Sequence, residues 1–339
     1  MSKSVDQKNL QVTVIVTVLN EASTIAYLLN ALVRQTFLPK AVIIIDGGSS
    51  DQTIDLLREA QAKISQFQLL FQQVPGNRSI GRNAAIELAR TELIAITDAG
   101  CQPDPTWLAE LVKAEQEGEA QFNREVVVAG YYRAEPATPL QEAIVPYALV
   151  MPDKINPDDF LPATRSMLLS KSIWKQTGEF DPCLSDNEDY AFAHRLRHSQ
   201  IPIVFAEKAK VVWQPPSTLA HFQNMIFRFA RGDMYAGIVR PKVLILFIRY
   251  IGGTLGLLFL IWLFNDWTIS ALLAIGSTLL YAGWAGKKNQ RYAPNGFHWL
   301  PVLQFIADYA VMWGSIVGIV MRLIHAPDQH TLEPDQKKS

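Results

Sequence analysis

Acidic and amide side chains that could bind hydroxyl groups, metal ions or a transferred proton follow several apolar runs of this 339-residue sequence. Asp46 and Asp98 each come directly after such a run, and Asn20 and Glu21 follow the first one. A single acid in this position is usually a turn or cap residue. Three acids in equivalent positions indicate one shared site instead.

The apolar runs have the length and composition of strands, and they alternate with segments of helical spacing. Strands are predicted at Val12–Val18, Val42–Ile45, Leu69–Phe71, Leu93–Thr97 and Val126–Ala129. Helices are predicted at Ile25–Val33, Thr53–Ala62, Ile80–Ala89, Pro105–Glu117 and Glu188–Arg197. This alternation predicts an α/β fold with a mainly parallel sheet and helices on both faces. Such sheets bind their ligands at the carboxyl ends of the strands, where the acids stand.

Four blocks of the sequence resemble the inverting glycosyltransferases of family two, which have the GT-A fold. The blocks are Val16–Glu21, Ile44–Asp51, Gly76–Asn83 with Thr97–Gly100, and Gly178–Asp181 with Glu188-Asp189. Their order and spacing together are specific, and the resemblance extends from Val12 to Gly237. It implies a GT-A domain that binds a nucleotide-diphosphate sugar.

The resemblance also implies which residues bind the donor. Glu21 and Asp46, with Asn20 beside them, would hold the ribose and base, because carboxylates accept hydrogen bonds from hydroxyl and N–H groups. Arg82 and Arg78 would lie near the diphosphate, since a guanidinium matches phosphate oxygens. The alternative for Arg82 is a solvated residue in the first turn of a helix.

Asp98 falls where the family has its D-x-D metal motif, which implies a divalent cation, Mg²⁺ or Mn²⁺, on the diphosphate. The sequence departs from the motif because Gly100 replaces the second Asp. Trp213 also stands where many relatives have a histidine. Asp104 is a possible additional ligand or a helix cap.

Asp189, paired with Glu188, is the expected catalytic base for direct displacement with inversion. The alternative is a pair of acids that only cap a helix, and Asp186 is a neighbouring candidate. Further on, Arg228 fits the Q-x-x-R-W motif of processive members, but Met225 stands where Gln is expected. This indicates a non-processive enzyme, or an amphipathic helix at the membrane surface.

The chain becomes strongly apolar after Lys242, which predicts a division into residues 1–240, 241–325 and a polar tail, 326–339. Trp267–Gly286 is uncharged and matches the roughly 20 residues that cross a bilayer core. Val243–Phe264 and Pro301–Met321 are similar, except that they carry Arg249 and Asp308. Two to three membrane helices are therefore predicted, the third either crossing or interfacial. The alternative is buried helices of a soluble core.

The net charge, the cysteine content and the positions of the basic residues limit the possible partners and the cellular location of the chain. A formal net charge of −1 argues against a nucleic-acid partner. Two cysteines are too few for a disulfide framework, and the first ten residues have no apolar run that could serve as a secretory signal. Basic residues flank the apolar segments at 240–249 and 287–291. The positive-inside rule then predicts a multi-pass protein of the inner (plasma) membrane with its catalytic domain in the cytoplasm.

A catalytic base indicates that the acceptor is a hydroxyl group, on a membrane lipid or a lipid-linked glycan of the cell envelope, because a phosphate acceptor needs no deprotonation. A polyprenyl-phosphate glycosyltransferase is the alternative within the same fold. A membrane transport or scaffold protein with a nucleotide-sensing domain is the alternative from another class, since Arg249 and Asp308 lie inside apolar segments. A nucleotidyltransferase would need a Gly-rich loop followed by Lys, which we do not find.

Overall fold

Residues 10–264 and 266–324 are described by a computed structural model, and they divide into two units. The sheet unit comprises residues 10–134 and 152–214. The helical unit comprises residues 135–151 and 215–324, apart from residue 265. The predicted polar tail and the first nine residues lie outside the described residues. The domain boundary near residue 240 stays a prediction.

The sheet unit alternates strands and helices along the chain. Its strands are β1 (Val12–Val18), β2 (Ala41–Asp46), β3 (Gln68–Gln73), β4 (Leu93–Ile96), β5 (Cys101–Pro103), β6 (Val127–Ala134), β7 (Met167–Ser170) and β8 (Ile203–Trp213). Its helices are α1 (Ile25–Val33), α2 (Thr53–Lys63), α3 (Arg78–Leu88), α4 (Trp107–Phe122), α6 (Lys171–Gln176) and α7 (Glu188–His198), whereas α5 (Pro139–Ala148) belongs to the helical unit.

All eight strands form one mixed sheet in the order β3-β2-β1-β4-β7-β6-β8-β5. β1 runs parallel to β2 and β4, β2 runs parallel to β3, and β6 runs parallel to β8. β7 is antiparallel to both of its neighbours, and β5 is antiparallel to β8. The carboxyl ends of β1, β2 and β4 therefore share one edge. The predicted α/β fold with flanking helices is confirmed.

The antiparallel strand β7 starts at the edge where β4 ends. Its first residue, Met167, pairs with Ile96, the last residue of β4. The residues just before β7, Thr164 and Arg165, therefore lie beside the segment that follows β4. The sequence around Thr164 and Arg165 has no periodic pattern that would predict a position in a functional site.

A buried polar contact fixes the approach to β7. Ser166 is fully buried, and its hydroxyl accepts a hydrogen bond from Trp107 Nε1 at 2.8 Å and donates one to the Ala209 carbonyl at 3.1 Å. A Cβ at Gly130 would lie only 1.9 Å from Ser166 Oγ. Glycine is therefore required at position 130 for space, and the contact holds the preceding residues in place.

The helical unit contains α5 together with α8 (Leu219–Tyr235), α9 (Pro241–Phe264), α10 (Trp267–Asn289) and α11 (Leu300–Ile324). Three of its helical segments are long and apolar enough to span a membrane: Pro241–Phe264, Trp267–Tyr292 and Phe297–Ile324. Large apolar side chains of α9, such as Ile248, which is 70% exposed, face outward. Exposure on this scale contradicts the alternative of buried helices in a soluble core.

The two charges inside the apolar segments bind each other. Arg249 Nη2 on α9 lies 3.0 Å from Asp308 Oδ2 on α11, and Asp308 is 4% exposed. The Tyr250 hydroxyl donates to the same oxygen at 2.9 Å, and Tyr281 of α10 donates to it as well. Gln304 donates to the other carboxylate oxygen at 2.8 Å. Asp308 therefore links all three apolar helices.

Candidate active site

The loops after β1 and β2 are joined by hydrogen bonds at the carboxyl edge of the sheet. Asn20 N–H donates to Ser49 Oγ at 2.8 Å, and Asn20 Oδ1 accepts from Ser50 N–H at 2.8 Å. Asn20 has a φ of 56°, a conformation that asparagine adopts more readily than most residues. Glu21 N–H donates to Thr53 Oγ1 at 2.9 Å. Asn20 is exposed and Glu21 is half-buried.

Asp46 is fully buried at the end of β2. Its Oδ1 accepts from the N–H groups of Gly48 and Ser49, each at 2.9 Å, and from Gln73 Nε2 at 3.1 Å. Its Oδ2 is buried and has no hydrogen-bond partner within the described residues. Buried carboxylate oxygens are normally paired, so this one has the capacity for a further donor.

Arg82 bridges two of the predicted site residues. Its Nη2 lies 2.9 Å from Asp98 Oδ1, and its Nη1 binds the Glu188 carboxylate. Arg82 is 2% exposed and Glu188 is 3% exposed. Arg82 is therefore not the solvated first-turn residue of the alternative interpretation. The chain brings together residues of α3, the segment after β4 and the start of α7.

Burial and pairing set the pKa values of this cluster. Burial alone would raise the pKa of Asp98, but the positive charges of Arg82, Arg165 and Arg78 outweigh it and lower the pKa. Burial is the largest influence on Glu188 and raises the pKa of its carboxyl, although Arg82 opposes the shift. Asp98 is accordingly the more firmly ionised of the two acids.

The side chain of Thr164 contacts both Asp189 and Asp98, so the two acids lie near each other. The Thr164 hydroxyl is 3.4 Å from Asp98 Oδ1 and 3.4 Å from Asp189 Oδ2. Thr164 N–H also contacts Asp189 Oδ2 at 3.4 Å, and Tyr190 N–H donates to the other oxygen at 2.9 Å. Asp189 is half-buried, and its loosely bound Oδ2 is able to accept a stronger donor.

Arg165 is a site residue that the sequence motifs do not predict. Its guanidinium carbon lies 5.3 Å from the Tyr132 ring centre and 5.1 Å from the Trp213 ring centre. Burial is the largest influence on the pKa of Arg165 and lowers it, but Tyr132 and Asp98, followed by Cys101 and Asp189, outweigh burial and raise the pKa. Together with Thr164, it enters the site because β7 is antiparallel to β4, which no motif in the chain signals.

The remaining predicted residues lie at different places. Arg78 is exposed at the start of α3, and Arg228 is half-buried on α8 in the helical unit. Asp104 lies 3.3 Å from Arg133, and Asp186 is buried in the loop before α7. Among the described residues, no three His, Cys, Asp or Glu side chains cluster so that they could hold a metal ion. Asp98, with one oxygen paired to Arg82 and a side chain 35% exposed, offers a single carboxylate ligand.

The fold of the chain is GT-A-like. The mannosyltransferase PcManGT from Pyrobaculum calidifontis, solved in complex with GDP-Man and Mn²⁺, superposes with a TM-score of 0.56 at 17% identity. The superposition covers 91% of this chain and 89% of that one. At this level of identity the likeness concerns the fold alone.

Residues 13–175 match the family model of glycosyl transferase family 2. The match agrees with the resemblance that the sequence blocks predict. Glycosyltransferase AglE of Haloferax volcanii is 33% identical over 100 residues, which is 29% of this chain and 33% of that protein. Hyaluronan synthase of Pasteurella multocida is 26% identical over 108 residues, which is 32% of this chain and 11% of that protein. The chain matches a third or less of the length of these relatives.

Proposed function

We propose that this chain transfers one sugar from a nucleotide-diphosphate sugar to a hydroxyl group, with inversion at the anomeric carbon. The observation that carries the proposal is the convergence of Asp98 and Asp189 on one hydroxyl, Thr164 Oγ1, at 3.4 Å from each. A carboxylate able to take a proton therefore lies near Asp98, the acid for which the sequence resemblance implies a role at the diphosphate.

The donor would bind at the carboxyl edge of β1, β2 and β4. Asp46 has a buried oxygen without a hydrogen-bond partner in the described part of the chain, which suits a base N–H or a ribose hydroxyl. Glu21 and Asn20 lie on the adjoining loop, which the bonds to Ser49 and Ser50 hold against β2. Arg78, exposed at the start of α3, would meet the diphosphate.

Asp189 would act as the base. As the acceptor oxygen attacks the anomeric carbon, a new carbon–oxygen bond forms and the bond to the diphosphate breaks. The electron pair leaves with the diphosphate, and the acceptor proton passes to Asp189 Oδ2. Glu188 has a positioning role, because its buried carboxylate binds Arg82 and so orients that guanidinium against Asp98.

Asp98 would be the protein ligand of a divalent cation, Mg²⁺ or Mn²⁺. A single carboxylate fits such an ion when phosphate oxygens and water complete its coordination. When bound, the cation neutralises charge on the diphosphate leaving group. The three guanidinium groups near Asp98 are those of Arg82, Arg165 and Arg78, and the carboxylates of Asp98, Asp189 and Glu188 balance them. A further cation would therefore help to balance the charge of a bound diphosphate.

The acceptor would be a membrane lipid or a lipid-linked glycan, reached from the cytoplasmic face of the inner membrane. Three apolar helices and the basic residues beside them support this setting. A membrane-impermeant maleimide tests the orientation, because Cys183 of the sheet unit is exposed and Cys101 is buried. Labelling of Cys183 in inverted vesicles but not in intact cells is expected. Labelling in intact cells would contradict the orientation.

The transport or scaffold alternative rests on the intramembrane charges. In the structure Arg249 and Asp308 bind each other at 3.0 Å, and three further side chains satisfy the Asp308 carboxylate. This arrangement favours a structural role for the pair. A position of Arg228 near the acceptor is supported only by its partial match to the Q-x-x-R-W motif.

The proposal is tested by donor binding and then by turnover. The full chain, purified in detergent, is melted with a panel of nucleotide sugars in Mg²⁺, in Mn²⁺ and in chelator. We expect one donor to raise the melting temperature, and Asp46→Ala and Asp98→Ala to remove the effect. Asp55→Ala, at an exposed position on α2, is the matched control. If no nucleotide sugar stabilises the folded protein, the proposal is wrong.

The same preparation separates the two acceptor classes. Transfer to a lipid hydroxyl is expected to be lost in Asp189→Asn while donor binding is retained. Efficient transfer to a polyprenyl phosphate that survives Asp189→Asn would establish the alternative acceptor instead, since that anion needs no base.

A further inference from the structure

Two aromatic rings on neighbouring strands hold the Arg165 guanidinium. Tyr132 lies on β6 and Trp213 on β8, and the guanidinium carbon is 5.3 Å and 5.1 Å from their ring centres. A planar guanidinium stacks well on aromatic faces and loses little freedom when it then binds a ligand. The backbone is held too, because Thr97 Oγ1 donates to the Arg165 carbonyl at 2.9 Å. Arg165 is thereby fixed next to Asp98.

Arg165 differs from Arg82 in having its donors free. The Arg82 guanidinium is paired with two carboxylates. Within residues 10–264 and 266–324, no group accepts a hydrogen bond from the Arg165 guanidinium and no carboxylate lies within ion-pair distance of it. Its charge nevertheless acts on Asp98 and Asp189. A half-buried guanidinium whose N–H groups have no acceptor in the described part of the chain is suited to bind an anionic ligand.

The neighbourhood of Asp98 supplies few side-chain ligands for a metal ion that would accompany such an anion. Gly100 offers no side-chain ligand, and the described residues contain no group of three metal-binding side chains. Trp213, the residue of β8 that pairs with Cys101 of β5, has its ring centre 5.1 Å from the Arg165 guanidinium carbon. The guanidinium of Arg165 therefore lies near Asp98, where the described residues offer no additional metal ligands.

We propose that Arg165 binds the diphosphate of the donor directly, supported by its contacts with the Tyr132 and Trp213 rings. This inference rests on the proposed function, which supplies the diphosphate. It follows that binding of a nucleoside diphosphate keeps a metal-independent component, because the guanidinium remains when the metal ion is removed. Arg165 is then a diphosphate-binding residue, and its contribution is absent for a nucleoside without phosphates.

The experiment measures binding of nucleoside diphosphates and of the matching nucleosides to the full-length protein in detergent, in Mg²⁺ and in chelator. The variants are Arg165→Met, which keeps the apolar stem, and Arg165→Lys, which keeps the charge but not the planar fork. Arg58→Met, at an exposed position on α2, is the control. In chelator we expect Arg165→Met to weaken diphosphate binding about ten- to a hundredfold, with an intermediate loss for Arg165→Lys.

Several outcomes decide the question. Nucleoside affinity and the ligand-free melting temperature should stay unchanged in Arg165→Lys, since a purely structural role would alter them. Equal diphosphate binding by the parent protein and Arg165→Met, or complete loss of parent binding in chelator, would overturn the inference alone. Failure of the parent protein to bind any nucleoside diphosphate, even in Mg²⁺, would overturn the proposed function together with it.

Discussion

Replacement of Arg82 by methionine tests the buried bridge between α3, the segment after β4 and α7. The change removes the cation that binds both Glu188 and Asp98, and Glu188 is only 3% exposed. Breaking a buried ion pair by removing one partner costs about 3–5 kcal/mol, because the other charge is left uncompensated. For a unit of this size that loss corresponds to a fall in melting temperature of roughly 6–20 °C.

The loss should depend on pH in a defined direction. Burial already raises the pKa of Glu188, and removal of Arg82 removes the main opposing influence. The folded variant then binds a proton more tightly than the unfolded chain, so its free energy of unfolding falls as pH rises through the folded pKa. The deficit relative to the parent protein should be smallest below the ordinary carboxyl pKa of about 4.3.

The assay is thermal unfolding in detergent at several pH values, with Arg58→Met as the control. Arg58 pairs with Asp55 on the exposed face of α2, so its loss should cost about 0–0.5 kcal/mol. The double variant Arg82→Met with Glu188→Gln should recover about 1–3 kcal/mol, because no buried charge remains unpaired at position 188. A loss below about 1 kcal/mol for Arg82→Met, or no recovery in the double variant, would refute the reasoning.

Three further outcomes are expected. Asp189→Asn should lower kcat about 10²–10⁴-fold while the Kd for the donor stays within twofold, measured by turnover and by calorimetry. Gly130→Ala should destabilise the protein by about 1–3 kcal/mol in thermal unfolding, since its Cβ would lie 1.9 Å from Ser166 Oγ; a normal melting temperature would count against that steric reading. Arg249→Met should reduce the yield of folded protein in membranes more than the double change with Asp308→Asn does, because the single change leaves a buried carboxylate unpaired; equal yields would speak against the pair.

The sequence predicts the half of the site that follows parallel strands. Asp46 and Asp98 stand after apolar runs that form β2 and β4, so their common edge follows from the periodicity and the rule for parallel sheets. The Glu188-Asp189 pair is likewise predicted at the start of a helix, and α7 begins at Glu188. The positions of these residues in the fold are predicted correctly because local patterning decides them, whereas their roles stay predictions.

The other half depends on pairings between distant residues. Arg82 and Glu188 are separated by 106 positions, and no local pattern joins them. Thr164 and Arg165 enter the site only because β7 is antiparallel to β4, and that strand is a short run inside a segment without clear periodicity. The aromatic support of Arg165 depends on β8 lying beside β6, a neighbour relation that the order of the chain does not signal.

The bond between Arg249 and Asp308 has a consequence for how the chain is made. The two residues are 59 positions apart, so α9 leaves the ribosome well before α11. If these helices enter a bilayer, Arg249 alone opposes insertion of α9 by at most about 2.5–3.5 kcal/mol, the cost of an arginine at a helix centre, until Asp308 arrives to neutralise it. Synthesis of α11 would then remove this penalty. Chains that end between α10 and α11 would hold α9 in the membrane less firmly than the full chain does.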